Sequence, residues 1–196
     1  MKAKKTQPEL AKKEPHPVTE IPRIGSVALL DRLLADYAFL AAQALSIHWN
    51  FQGVNFISIH DFFERRYHSL NQRMDQVAER LRALGVFAPA GFAEWAELTN
   101  LEDIPLTAFE IQETAQGPRK LHFVSPIRLY LEKERQVRDS ILHTAIPRAE
   151  EVNDAVTEEL LIACLKEHEQ VLWILQSLIP TSEKAENQRE PQKSVA

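Results

Sequence analysis

Apolar residues recur along most of this chain at intervals of three and four, the spacing that lays one face of an α-helix against a core. From Ser26 onward Leu29, Leu30, Leu33, Leu34, Tyr37, Leu40, Ala41, Ala44, Leu45 and His48 keep that rhythm. They predict a first long helix capped by Ser26 and ending before Gly53. A second helix is predicted from about Ser58 to Leu84, with Phe63, Tyr67, Leu70, Met74, Val77, Leu81 and Leu84 as its apolar stripe and Gly85 as its stop. Residues 86 to 125 break the pattern at Pro89, Pro105, Gly117 and Pro118, leaving one short helical candidate, Gly91 to Leu98, inside a long crossover. A third helix is expected from about Pro126 to Glu151, with Pro147 kinking it or ending it early. A fourth begins near Asp154 and runs through Leu160, Leu161, Leu165, Leu172 and Leu175 to Leu178, stopped by Pro180. Four long helices with one lengthy middle connection describe an all-α four-helix bundle with a crossover.

Composition bounds the picture. Only five glycines among 44% hydrophobic and 26% charged residues suit long amphipathic helices, and 196 residues suffice for one core. The first 25 residues hold Pro8, Pro15, Pro17 and Pro22 among lysines and read as a flexible tail. Residues 26–180 form the expected bundle, and 181–196 a polar tail. The lone cysteine, Cys164, excludes an internal disulfide and a cysteine-based zinc site, which fits a reducing, cytoplasmic setting. No stretch approaches the ~18 apolar residues of a membrane span, and the start lacks a signal-peptide pattern, so no membrane association is expected. The net charge of −5 divides into +3 over residues 1–25 and −8 over the remainder, an acidic body with a basic tail.

The chemistry concentrates between residues 48 and 80, where His48, His60, Glu64, Asp75 and Glu79 are ligand types suited to a redox-active first-row metal. At 100° per residue, with His60 as zero, Glu64 lies at about 40°, Asp75 at about 60° and Glu79 at about 100°. The four share one helix face, flanked by Phe63, Tyr67, Leu70, Met74 and Ala78, which points them towards packed surface. Each residue singly has a plainer account. A lone histidine on an apolar face is more often a satisfied core group, and an acid pair four apart often marks a solvated face, here with Arg80 and Arg82 as available partners. Taken together, the five favour a metal. Glu64 and Asp75, eleven residues apart, are about 16 Å apart along the helix axis. One ion cannot touch both, so His60 with Glu64 and Asp75 with Glu79 can share a site only across a two-fold axis with a second copy of the helix.

The order His48-Trp49-Asn50, Gly53, Phe56, His60, Glu64, Asp75 and Ala78-Glu79-Arg80 resembles the signature of the Dps family, the DNA-binding proteins from starved cells. Asp154, Thr157, Leu160 and Trp173 resemble that family's last helix, and the likeness covers about residues 26 to 179. It implies a ferritin-like bundle, a mini-ferritin assembling into a dodecameric shell. His48, His60 and Glu64 of one subunit with Asp75 and Glu79 of its neighbour would form a ferroxidase centre for Fe(II), with hydrogen peroxide as oxidant, and the ferric mineral would be stored inside. Ala44 and Leu45 stand where many relatives carry Thr-Lys, and Phe109 to Leu121 looks longer than usual. The absence of any Glu-x-x-His favours the mini-ferritin over larger ferritins, which use that pair inside one bundle.

The resemblance also suggests Glu150, Asp154 and Glu159 as iron-entry residues, although helix-start acids look the same. It suggests Trp49 as a trap for oxidising equivalents, although a packed aromatic fits equally. Trp173 and Cys164 read as core, and His68 as a weaker ligand candidate. An alternative function is nucleoid compaction, with Lys2, Lys4, Lys5, Lys12 and Lys13 contacting DNA phosphates as a multivalent array. The protein would then be nucleoid-associated. A metal-free helical adaptor is the third reading.

Overall fold

A computed structural model describes residues 24–53, 55–109, 113–114, 117–118 and 125–179. Helix α1 spans Ile24–Asn50 and buries Leu30, Leu33, Leu34, Tyr37, Leu40, Ala41, Ala44 and Ile47, the predicted stripe. It starts two residues before Ser26, whose hydroxyl is buried without a partner, so Ser26 is not the cap. A five-residue turn, with Phe51 buried and Gly53 (φ 124°) and Asn55 (φ 65°) in the left-handed region, reverses the chain into α2, Phe56–Ala83. At the end of α2, Gly85 (φ 87°) allows its own N–H to reach Arg82 O and that of Val86 to reach Leu81 O. These paired bonds satisfy the last carbonyls and stop the helix where the glycine predicts it.

The crossover carries α3, Phe92–Leu98, packed on α1, a 3-10 turn at Leu106–Phe109 and a two-residue antiparallel pair, Glu113–Thr114 with Gly117–Pro118. Two polar contacts pin it to α1. The Thr99 hydroxyl donates to Asp36 at 2.6 Å, and the Gln43 amide donates to Asp103 while accepting from the Ile104 N–H, both at 2.7 Å. Helix α4, Ser125–Ser140, passes through a π-helical turn at Ile141–Ala145 into α5, Ile146–Glu151. Pro147 lacks an N–H, and its ring displaces the carbonyl one turn earlier. The wider turn, in which the Ile146 N–H bonds to Ile141 O, absorbs this, so the proline neither ends nor breaks the rod. After Asn153 (φ 53°), Asp154 caps α6, Ala155–Leu178, by accepting from the Thr157 N–H at 3.2 Å.

Helices α1 and α2 pack along their length, α4 lies against α6 and α1, and α2 meets α6. The core between them is not wholly apolar. The Arg66 guanidinium from α2 is fully buried and forks onto both oxygens of Glu134 from α4 at 2.8 and 3.0 Å. Its third nitrogen donates to Glu167 of α6 at 2.6 Å, and Arg73 of α2 holds the other Glu167 oxygen at 2.6 Å. The buried His168 ring bonds to Glu134 at 2.6 Å through Nδ1. Among the described residues no helix is long and apolar enough to cross a membrane. Of the predicted tails, 1–25 and 181–196, residues 1–23 and 181–196 fall outside the described residues, while Ile24 and Gly25 already belong to α1.

Burial by itself would raise the Glu134 carboxyl, but Arg66 and His168 overcome it and hold the pKa down to about 2, from 4.5. A depressed carboxylate stabilises the fold above its unfolded pKa and ceases to as pH falls through the folded value. Stability from Glu134 is therefore complete above pH 4.5 and lost between there and about 2. Acid titration of unfolding checks this. Glu134→Gln should lower stability at neutral pH by about 3–5 kcal/mol, because it strands a buried guanidinium. It should also flatten the acid limb relative to the parent chain.

Candidate metal centre

His48 sits in the last turn of α1 and His60 in the second turn of α2, and the intervening reversal brings their rings face to face. The centroids are 3.7 Å apart with planes at 18°. His48 Nδ1 donates to the His60 carbonyl at 3.0 Å, and His60 Nδ1 donates to the His48 carbonyl at 2.8 Å. A carbonyl only accepts, so both Nδ1 atoms carry hydrogen, and in the neutral rings both Nε2 lone pairs are left for a ligand. Metal-binding histidines are oriented by this kind of bond to the second nitrogen. The Phe56 ring, 5.1 Å from His60, flanks the pair.

Glu64 follows one turn after His60 and is exposed, as are Asp75 and Glu79 further along α2. The expectation that these acids face packed surface is corrected for the single chain, where they face solvent. Arg80 and Arg82 do not neutralise them. Arg80 binds Asp154 at 2.5 Å and Thr157 at 2.8 Å, while Arg82 donates to Val86 O and stands over the Phe87 ring. Among the described residues no three of His, Cys, Asp or Glu gather round one ion. The structure therefore joins His48 to His60 and does not gather Glu64, Asp75 or Glu79 round them.

Other predicted residues divide. Trp49 is 68% exposed beside His48, and Trp173 is 66% exposed, which corrects its assignment to the core. Cys164 is buried as expected, and burial pushes its thiol pKa up. His68 is exposed beside Tyr67. Glu150 and Glu159 are exposed, whereas Asp154 is buried as a helix cap and ion-paired to Arg80. Burial would raise its carboxyl, and the bonds from Thr157 and the Arg80 charge lower it overall. Lys2, Lys4, Lys5, Lys12 and Lys13 lie outside the described residues. The Arg66, Glu134, Glu167 and His168 cluster was missed by sequence reasoning. Its trace is the position of Arg66, three residues after Phe63 and four before Leu70, within the apolar stripe.

The sequence profile of the ferritin-like domain matches residues 27–185. A Bacillus anthracis protein named DNA protection during starvation protein 2 is 26% identical over 153 residues, covering 78% of this chain and 95% of that one. An uncharacterized low temperature-induced protein of Nostoc is 27% identical over 166 residues, covering 83% and 84%. Among solved structures, Dps from Listeria monocytogenes aligns with a TM-score of 0.69 and 22% identity, covering 81% of this chain and 96% of its own.

The reciprocal bonds make a spectroscopic prediction. Nitrogen-15 spectra of the metal-free protein above neutral pH should show both His48 and His60 as the Nδ1–H tautomer, against the Nε2–H form usual for free imidazole. An Nε2–H signal from either ring would remove the basis for two free Nε2 donors.

Proposed function

The chain, matched over residues 27–185, belongs to the ferritin-like domain family and resembles the Dps proteins within it, and on that premise we propose that it oxidises and stores iron at centres completed between two subunits. The observation that carries this reading is the stacked His48/His60 pair, which leaves both Nε2 atoms free one helical turn before the exposed Glu64. His48, His60 and Glu64 of one subunit would bind Fe(II) with Asp75 and Glu79 of the partner. Mixed imidazole and carboxylate donors suit that ion, and the acids balance its charge. Such a pairing satisfies the about 16 Å separation along α2 that no single subunit can bridge.

Hydrogen peroxide accepts the electrons. Its reduction to two hydroxides takes one electron from each of two Fe(II), so no hydroxyl radical is released, and hydrolysis of Fe(III) deposits an oxide within a closed shell of about twelve subunits. Consuming iron and peroxide together protects nucleic acid, the role named for the Bacillus anthracis relative.

A second reading rests on the split of +3 over residues 1–25 against −8 for the rest. Tails bearing Lys2, Lys4, Lys5, Lys12 and Lys13 would bind DNA phosphates multivalently from an otherwise repelling body. Electrophoretic retardation of DNA should then occur at low salt, weaken steeply as salt rises, and vanish when residues 1–20 are removed. Retardation that persists without the tail would assign DNA binding elsewhere.

The shared centre has a sharper test. His48→Ala/His60→Ala and Asp75→Ala/Glu79→Ala should each abolish Fe(II) oxidation. Unfolded together and reassembled at random, about half the dimers are mixed, and each mixed dimer has one intact centre of two, so roughly a quarter of the parent activity should return. A centre within one subunit cannot be rescued this way. Mixed assemblies that form normally and stay inactive refute the model.

A further inference from the structure

The interior cluster has no part in the proposed iron chemistry, and its geometry is that of a binding site already filled. Two carboxylates from different helices converge on one planar cation. Glu134 accepts from Nε and Nη2 of Arg66, Glu167 accepts from Nη1 at 2.6 Å, and Ser69 Oγ lies 3.3 Å from the same nitrogen. His168 backs Glu134 through Nδ1 at 2.6 Å. The spacing of the two carboxylates matches the edges of a guanidinium and not the radius of a bare ion. Among the described residues no three of His, Cys, Asp or Glu close round a metal-sized point, although Glu134, Glu167 and His168 all touch Arg66.

We propose that the bundle interior is a guanidinium receptor whose resident ligand is the head group of Arg66, and that Arg66, by filling it, closes this acidic interior to divalent metal ions. The argument from geometry has two parts. A planar donor set with fixed fork angles meets both oxygens of Glu134 through two parallel hydrogen bonds while its third nitrogen reaches Glu167, whereas a spherical ion would have to draw both carboxylates round one point. The charges also balance with the plug in place: Arg66 and Arg73 offset Glu134 and Glu167, so a further cation would find no uncompensated carboxylate. Without Arg66 the same cavity would hold an uncompensated carboxylate, and a cation of the right shape would be drawn in.

The test uses full-length Arg66→Ala, unfolded and refolded with ethylguanidinium, with ethylammonium or with Co²⁺ at equal millimolar concentrations, and reads thermal unfolding. The variant alone should lose about 10 °C in Tm, the scale of a broken buried ion pair in a chain this long. Ethylguanidinium should recover about half of that loss, as a ligand well above its Kd does. Ethylammonium and Co²⁺ should recover clearly less. The parent chain should gain nothing from ethylguanidinium, and Arg66→Ala/Glu134→Gln should not respond to it. Lack of recovery with ethylguanidinium, including failure to refold in its presence, overturns the receptor. Recovery that persists in the double variant places the effect elsewhere and overturns it as well. Recovery with Co²⁺ that equals or exceeds that with ethylguanidinium, after subtracting the gain Co²⁺ gives the parent chain at its surface imidazoles and acids, overturns the exclusion of metal.

Discussion

A guanidinium in the middle of a helical bundle must be matched by its surroundings or the bundle does not form. Removing that charge from water costs several kcal/mol, and attraction offsets the loss only when the geometry is good and the remaining donors are bonded. Arg66 meets both conditions, with Glu134 across from it on two nitrogens and Glu167 on the third. The fork is planar and rigid, so it fixes where α4 and α6 stand relative to α2, in rotation as well as along the axis. Apolar side chains tolerate a small slide of one helix past another; a bidentate ion pair does not. Arg73, about two turns further along α2, repeats the contact through the other oxygen of Glu167 and extends the constraint.

That constraint decides what α2 shows to the outside. At 100° per residue, Arg66 and Arg73 lie roughly opposite His60, Glu64 and Asp75 on the helix. Seating the arginines in the core therefore turns the candidate ligands outward. The α1–α2 reversal completes the arrangement from the other end. Gly53 and Asn55 adopt left-handed backbone angles that tighten the turn, and the two histidines then lie near enough to exchange hydrogen bonds with each other's backbone. Each ring is thereby fixed in tautomer and orientation by the chain that carries the other, so the pair is organised before any ligand arrives.

The helices were legible because their signals are local. Apolar spacing located α1, α2 and α6 to within a few residues, and Gly85 and Asp154 marked a stop and a start through backbone conformation and capping that depend on near neighbours alone. The pairing of His48 with His60 was anticipated only as a shared chemistry, since their contact depends on how the turn closes. The continuation past Pro147 was not legible, because a π-helical turn responds to packing on both sides of the proline. The interior ion network was invisible for the same reason. Its members are 68 to 101 residues apart for the principal contacts, and each taken alone reads as a surface charge on an amphipathic helix. Trp173 failed in the opposite sense: an aromatic at helical spacing suggests core, but its position on α6 faces away from the other helices.

The two sets of charges on α2 also differ in what they require. The inner set pairs its charges within one chain, where Arg66 and Arg73 meet Glu134 and Glu167. Among the described residues no cation is ion-paired to Glu64, Asp75 or Glu79, and their exposure to solvent makes them inexpensive to hold in a single chain. Bringing a second copy of α2 against that face would reverse this balance. Carboxylates from both copies would lose water and approach one another, and their repulsion in a less polar setting would oppose association. A divalent cation held between the free imidazole nitrogens and the acids removes that repulsion. Binding of the ion and closing of the interface would then favour each other, because each is costly when it occurs alone.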